Sequence, residues 1–341
     1  MVFDWVYGEF FVISHFEIIP RSPQVCVAPE EACGVMCSDR PSGRQEARMP
    51  AVNDQTKINM EIIRSVGEMI DYVARQKKDR KSIGLVPTMG ALHAGHISLV
   101  EKAVRENDVT VASVFVNPTQ FNNPTDLATY PRKEEDDFRM LAEAGISAVF
   151  APSVEEMYPS GTASDHEYQL GSAAEVMEGK FRPGHFQGVA QVVHRLFQLV
   201  RPDRAYFGEK DSQQIAVIRN MVASEGVEVE IVACPIFRGA DGLALSSRNA
   251  LLTDAQRERA PEIYAALRDS VEYSKSHSVQ ATHDMVVERI DAIAEMQVEY
   301  YEIVDGRTLL PVDEWEESDS IVGCITVYNG SVRLIDNIRY K

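Results

Sequence analysis

The chain has 341 residues, 45% hydrophobic and 25% charged, with a formal net charge of −18. That length and apolar content support a sizeable core and exclude a disulfide-dense mini-scaffold or a globally disordered chain. The acidic balance disfavours nucleic acid and anionic membrane as partners, because both are negative, but not a small anion in a locally basic pocket.

At ~150 residues per domain the length suggests two domains. The five cysteines, Cys26, Cys33, Cys37, Cys234 and Cys324, are too few and too odd in number for a disulfide framework. A reducing, cytoplasmic compartment is the expectation, and no metal-ligand spacing surrounds Cys26, Cys33 and Cys37. No apolar run reaches the ~18 residues of a membrane span, and the first twenty residues lack a basic leader region.

Residues 1–57 are broken by Pro20, Pro23, Pro29, Pro41 and Pro50 and show no sustained period of 2 or 3.6. They are predicted to be a disordered extension, with Met49 and Met60 as alternative starts. From Ile62 the pattern turns regular. Ile62, Ile63, Val66, Met69, Ile70 and Val73 fit one amphipathic helix. Residues 82–86 read as a buried strand ended by Pro87, and a helix begins near His96. Residues 109–116 form a second β-rich run, 138–144 a helix and 148–150 a strand. Then follow a helix over 189–200, a strand over 205–207, a helix over 213–222 and a strand over 227–232. This alternation predicts an α/β fold with a Rossmann-like parallel sheet, whose ligands bind beyond the carboxyl ends of the strands. Two charged helical patterns, 261–275 and 281–295, precede β-like runs at 298–304, 320–327 and 331–335, predicting a smaller α+β domain. The expected division is 58–236 and 237–341.

Five motifs fall at predicted strand ends. Pro87 to His96 contains His93-Ala-Gly95-His96 at a strand-to-helix turn. Gly95 leaves room for a ligand, the helix N-terminus favours phosphate, and imidazoles there donate to phosphoryl oxygens as charge develops. In Phe207 to Gln214, Lys210 suits a phosphate, Asp211 a helix cap, and Gln214 projects from the first turn. Asp241 to Asn249 places Ser246 and Ser247 before Arg248, a set suited to phosphate oxygens or to a helix cap. Asn117 and Gln120, after the second long strand, suit a polar substrate or an Asn-Pro turn. Gly179 to Gly188, with Lys180 and Arg182, suits an ordered loop over an anion. The acidic run Glu134 to Asp137 is either an exposed helix start or a Mg²⁺ contact, with Asp136 the nominated ligand. The window 180–219 carries seven bases and three acids, a basic stretch beside the phosphate motifs.

In this order the motifs resemble the pantothenate synthetase (pantoate–β-alanine ligase) family of the HxGH nucleotidylyltransferase superfamily. The resemblance runs from about Ile62 to the C-terminus and includes Arg333 to Asn337. It implies ATP-dependent joining of pantoate to β-alanine through pantoyl adenylate, with Mg²⁺. It implies a homodimer, and a smaller C-terminal domain closing over the site. It assigns ATP to Met89, Gly90, Ala91, Leu92, His93, Ala94, Gly95 and His96, to Gly208, Glu209, Lys210 and Asp211, to Phe237, and to Leu245, Ser246, Ser247 and Arg248. His96, His93, Lys210, Ser246, Ser247 and Arg248 would be catalytic, with His96 the proton donor. Gln120, Gln214, Asn117 and Arg182 would hold the other substrates. Competing readings are a nucleotidyltransferase that stops at a nucleotide-bearing product, a tRNA-charging enzyme and an inactive nucleotide sensor. The acidic charge weighs against the second and the intact motif residues against the third.

Overall fold

The computed structural model describes residues 60–341; the expected extension over 1–57 lies outside the described residues. The described residues fall within one compact unit. In chain order its elements begin with β1 (Glu61–Ile63), α1 (Val66–Lys78), β2 (Ile83–Thr88), α2 (Ala94–Glu106), β3 (Val109–Val114), α3 (Pro124–Thr129), α4 (Glu134–Glu143) and β4 (Ala148–Phe150). Next come α5 (Val154–Met157), α6 (Glu178–Phe181), α7 (His185–Val200), β5 (Arg204–Gly208), α8 (Ser212–Glu225) and β6 (Glu230–Cys234). The last part holds α9 (Asp254–Arg259), α10 (Glu262–Tyr273), α11 (Val279–Asp291), β7 (Met296–Asp305), β8 (Ile321–Asn329) and β9 (Val332–Arg339).

Strands β1 to β6 make one parallel sheet in the order β1-β4-β3-β2-β5-β6. Alternate residues of each strand feed opposite faces. Ile83 and Leu85 of β2 pack with α1, α7 and α8, whereas Val86 packs with α2 and α4. After β2 the chain moves outward through β3 and β4; after β5 it moves the other way, to β6. The β2/β5 boundary is therefore the topological switch point, where a crevice opens beyond the strand ends.

Several boundaries differ from the periodicity by two to four residues, and two of them have a clear cause. Ile62 and Ile63 are strand, pairing with Val149 and Phe150. The helix starts only at Ser65, whose side chain accepts from Glu68 N while the Glu68 carboxylate accepts from Ser65 N. That capping box overrides the apolar period. Pro87 does not end β2 but pairs with Ser113. The ladder to β5 stops at Leu85, so the missing N–H removes no bond on that side.

The antiparallel sheet β7-β8-β9 packs under α10 and α11 with its own core. Its strands lend Val304, Val322 and Cys324, and the β7–β8 connection Leu309, to the core of the parallel sheet. Glu178 of α6 is buried against Arg333 of β9, Tyr300 Oη donates to it at 2.7 Å, and the charge pair holds its carboxyl down to about 2. Among the described residues no helix is long and apolar enough to cross a membrane.

Candidate active site

Beyond the ends of β2 and β5 lies a cavity of about 220 Å³. Its wall brings together Met89, His93, Gly95, His96, Gln120, Gly208, Lys210, Asp211, Gln214, Phe237 and Leu245 to Arg248. A second cavity of about 570 Å³ shares Lys210, Asp211, Gln214, Ser246 and Arg248 and adds Arg182 and His185. Residues from three distant motifs thus converge at the switch point.

The turn from β2 into α2 is built from its backbone outward. Thr88 Oγ1 donates to Ser113 O at 2.6 Å and accepts from Gly90 N at 3.2 Å. Gly90 (φ +77) and Ala91 (φ +49) are both left-handed. For Ala91 that conformation costs about 1–3 kcal/mol, so the surroundings must impose it. A Cβ on Gly90 would lie 2.9 Å from Asp137 Oδ2, which explains the glycine. Asp137, only 2% exposed, accepts from Ala91 N at 2.8 Å and from Leu92 N at 2.7 Å. Its carboxyl is raised by burial, against those two hydrogen bonds.

His93 is the N-cap of α2. Its Nδ1 accepts from Gly95 N at 3.1 Å, and His96 Nδ1 accepts from His93 N at 3.3 Å. An Nδ1 that accepts carries no proton, so both rings are neutral Nε2–H tautomers, as assigned from the hydrogen-bond network. Their centroids are 4.0 Å apart. Burial and the Lys210 charge bring His93 down to about 4; burial, His93 and Lys210 bring His96 down to about 3. In the free protein at neutral pH neither is an imidazolium, and each offers one N–H. The space at Gly95 holds the ring of His93, 2.9 Å from where a Cβ would stand, so this glycine admits the chain's own imidazole.

Gly208 ends β5 opposite Cys234, and Glu209 to Asp211 form a short 3₁₀ turn. Asn337 Nδ2 fixes that turn from β9, donating to Glu209 O at 2.7 Å and Lys210 O at 3.1 Å. Asp211 stands at the N-cap of α8 but makes no capping bond; it pairs instead with Lys210 at 3.2 Å. Ser246 Oγ accepts from Arg248 N, Ser247 Oγ donates to Ala91 O at 3.1 Å, and Arg248 pairs with Asp126 of α3 at 3.0 Å. Phe237, 42% exposed, joins the wall, and its carbonyl accepts from Leu245 N.

The opposite corner carries Asn117 and Gln120. Asn117 is 1% exposed and fully engaged within the protein. Its Nδ2 donates to Gln120 Oε1 and Gly188 O, and its Oδ1 accepts from Tyr158 Oη at 2.8 Å and from Thr119 Oγ1. It lines the cavity and at the same time braces Gln120. Gln120 O is held by His185 Nδ1 at 2.8 Å and by Arg182. Gln214 lines both cavities, whereas its neighbour Gln213 is buried and donates to Ala173 O and Val176 O.

The geometry places three of the expected features. Asp136 points outward and pairs with Arg139; the inward carboxylate is Asp137, one position on, which the sequence reading did not single out. The shared burial of Asp137 and Leu141, four apart on α4, is the helical signal that marks it. Of the seven bases in the 180–219 window, only Arg182 and Lys210 line the two cavities at the switch point. Among the described residues, no group of three or more His, Cys, Asp or Glu side chains has a metal-holding arrangement. Cys234 and Cys324 are free and buried, and burial pushes their thiols up to about 11 and 12, as suits structural cysteines.

The family model for pantoate-beta-alanine ligase matches residues 61–339. A pantothenate synthetase of Porphyromonas gingivalis is 58% identical over 282 residues, covering 83% of this chain and 100% of the relative. One of Bacteroides thetaiotaomicron is 53% identical, covering 83% and 99%. Among solved structures, pantothenate synthetase from Thermus thermophilus superposes with a TM-score of 0.77 at 45% identity, covering 82% of this chain and 99% of that one. The Francisella tularensis pantoate-beta-alanine ligase complexed with beta-gamma ATP and beta-alanine gives 0.69 at 37%, covering 82% and 98%. With the family model spanning most of the chain and relatives above half identity along their full length, the chain belongs to the pantoate–β-alanine ligase family.

Proposed function

We propose that the cavity at the β2/β5 boundary is where this ligase condenses pantoate with β-alanine at the expense of ATP, with the residue roles that follow. The observation that carries the assignment is the meeting of the His93–His96 turn, the Gly208–Asp211 turn and the Leu245–Arg248 segment around one cavity. In the first step a pantoate carboxylate oxygen attacks the α-phosphorus of ATP, the bond to the bridging oxygen breaks, and pyrophosphate leaves. In the second step the β-alanine amine attacks the acyl carbon of pantoyl adenylate, AMP leaves, and the amine gives up a proton.

Neither step needs a protein nucleophile. Both need alignment and donors aimed at developing negative charge. The Nε2–H groups of His93 and His96 serve as those donors toward the phosphates, with Lys210 and Arg248 as fixed positive charges. The triphosphate has to compete with Asp126 for Arg248 and with Asp211 for Lys210. Phosphate charge beside His96 raises the proton affinity of its ring, so the same group that donates a hydrogen bond in the free enzyme becomes a better proton carrier in the complex. Met89 to His96, Gly208 to Asp211 and Phe237 hold the nucleotide. Gln120 and Gln214 hold pantoate, with Asn117 and Arg182 behind Gln120.

A Mg²⁺ ion bound to the ATP phosphates fits this donor set. Mg²⁺ keeps most of its waters and uses one or two carboxylates, and Asp211 is a carboxylate of the shared wall. The ion would supply charge neutralisation at the phosphates. This reading also takes 58–236 as the nucleotide and pantoate domain and 237–341 as the closing domain, in a cytoplasmic homodimer. The separate core of the antiparallel sheet supports the division, the two free thiols a reducing compartment, and family membership the homodimer.

The deciding experiment is AMP release with ATP, pantoate and β-alanine, each omitted in turn, with products resolved by mass. AMP with an amide product only in the complete mixture is the expected result. A stable nucleotide-bearing product would overturn it in favour of a simple nucleotidyltransferase. Light scattering tests the dimer.

A further inference from the structure

We propose that Asp137 is a positioning residue for the ATP-dependent step: it holds the Gly90–Leu92 turn so that His93 and His96 present their Nε2–H groups and Ser247 meets the Ala91 carbonyl. The inference rests on the reading above, in which this turn carries ATP.

Both oxygens of Asp137 are taken by peptide N–H groups of this one turn, Ala91 N at 2.8 Å and Leu92 N at 2.7 Å. Among the described residues it has no ion pair. A buried carboxylate held only by peptide groups is a poor choice for stability alone, because desolvation opposes its charge. An apolar side chain would fill a position that shares a buried face with Leu141. What the carboxylate does is fix a turn of two successive left-handed residues, Gly90, which adopts that conformation freely, and Ala91, which does not.

The consequences run along the chain. Ala91 is gripped at both ends, its N–H by Asp137 and its C=O by Ser247 Oγ at 3.1 Å. Leu92, held by the other oxygen, precedes His93, whose N–H orients the His96 ring. Gly90 packs directly on the carboxylate: a Cβ there would also stand 3.3 Å from Val114 Cγ1. One carboxylate thus sets the register of both imidazoles and of the Ser-Ser-Arg segment against them.

The test is Asp137→Asn, which keeps the shape but turns an NH₂ toward a peptide N–H. Two quantities are read: pantoate-dependent pyrophosphate release, and AMP release from supplied pantoyl adenylate with β-alanine. The expected result is a fall of about tenfold to a hundredfold in the first kcat, with the KM for β-alanine within about twofold. The side-chain ¹⁵N resonances of His93 and His96 move at the same time. Gly90→Ala, which crowds the same carboxylate from the other side, gives the same pattern and carries the test if Asp137→Asn does not fold. An unchanged first step in a folded variant overturns the proposal. So does a fall shared equally by both steps with the imidazole resonances unmoved, which reduces Asp137 to a stability role. If His96→Ala leaves pyrophosphate release intact, the ATP reading itself fails. If His96→Ala abolishes it while Asp137→Asn does not, only the present inference falls.

Discussion

The two corners of the cavity are built on opposite plans. On the His93–His96 side, backbone groups and the inner nitrogens of the rings are engaged with each other, and the outer N–H of each ring has no hydrogen-bond partner among the described residues. On the Asn117–Gln120 side, the side-chain amides themselves are engaged, Asn117 at both its oxygen and its nitrogen. The first plan suits groups that must meet a charge that changes during reaction. The second suits a wall whose shape must not change. A polar residue in a ligand cavity is thus not by that fact a ligand contact; its remaining hydrogen-bonding capacity decides.

That contrast is open to attack at several points. The largest expected effect is at the donor corner: His96→Ala lowers pantoate-dependent pyrophosphate release by about 10²-fold or more. Near-wild-type release would remove the contrast altogether.

At the support corner, Asn117→Ala leaves Tyr158 Oη without its acceptor and takes one of two side-chain donors from Gly188 O, which keeps Thr119 Oγ1. A loss of about 1–3 kcal/mol in unfolding free energy is expected, with a raised KM for pantoate and a smaller change in KM for ATP. A changed KM for ATP with pantoate unaffected would place Asn117 in the other corner.

The acidity of the imidazoles sharpens the comparison further. His93 near 4 and His96 near 3 lie below the ordinary value of 6.5, so the unfolded chain binds more protons than the folded one as the pH falls below 6.5. Their contribution to stability is complete above 6.5 and declines from there toward pH 4 and 3. His185, also brought to about 4 by burial and by Arg182, acts in the same sense. Thermal denaturation followed from pH 7 to 4, beside NMR titration of the free enzyme, should show a falling midpoint and no protonation of His93 or His96 between pH 8 and 6. A ring that titrates in that range would show that its Nδ1 is not held as described.

The smallest effect is expected at Asp136, which faces outward beside Arg139. Asp136→Ala should leave the Mg²⁺ dependence of AMP release unchanged. A shifted Mg²⁺ requirement would restore it as a ligand.

The order of strands and helices was legible because the long elements obey one period each. Residues 83–88 and 109–114 are buried strands, and α7 and α8 carry continuous apolar faces. The donor corner was legible too, since the His93–His96 spacing is local and sits at a strand end. Less visible was anything set by partners far along the chain. Which of four successive acids turns inward depends on the register of α4 against the turn after β2, and a run of like residues carries no sign of it. Asn117 reads as a free amide until Tyr158 and Gly188 are brought beside it. Most bases of the 180–219 window lie away from the two cavities, and Arg204 pairs with Glu230. The short helices α3, α5, α6 and α9 escaped because four to six residues are too few to establish a period.

The antiparallel sheet has a consequence for how this enzyme can be altered. Val304, Leu309, Val322 and Cys324 complete the core beneath the parallel sheet, and Arg333 neutralises Glu178 across the same boundary. Cutting the chain near residue 237 would strip four apolar side chains from that core and leave the buried Glu178 carboxylate with only the looser pair to Arg182 at 3.5 Å. The two sheets are therefore not interchangeable cassettes. A chimaera that grafts a relative's C-terminal region onto the parallel-sheet part of this chain must carry the Glu178, Tyr300 and Arg333 partners together, or lose solubility before it loses activity.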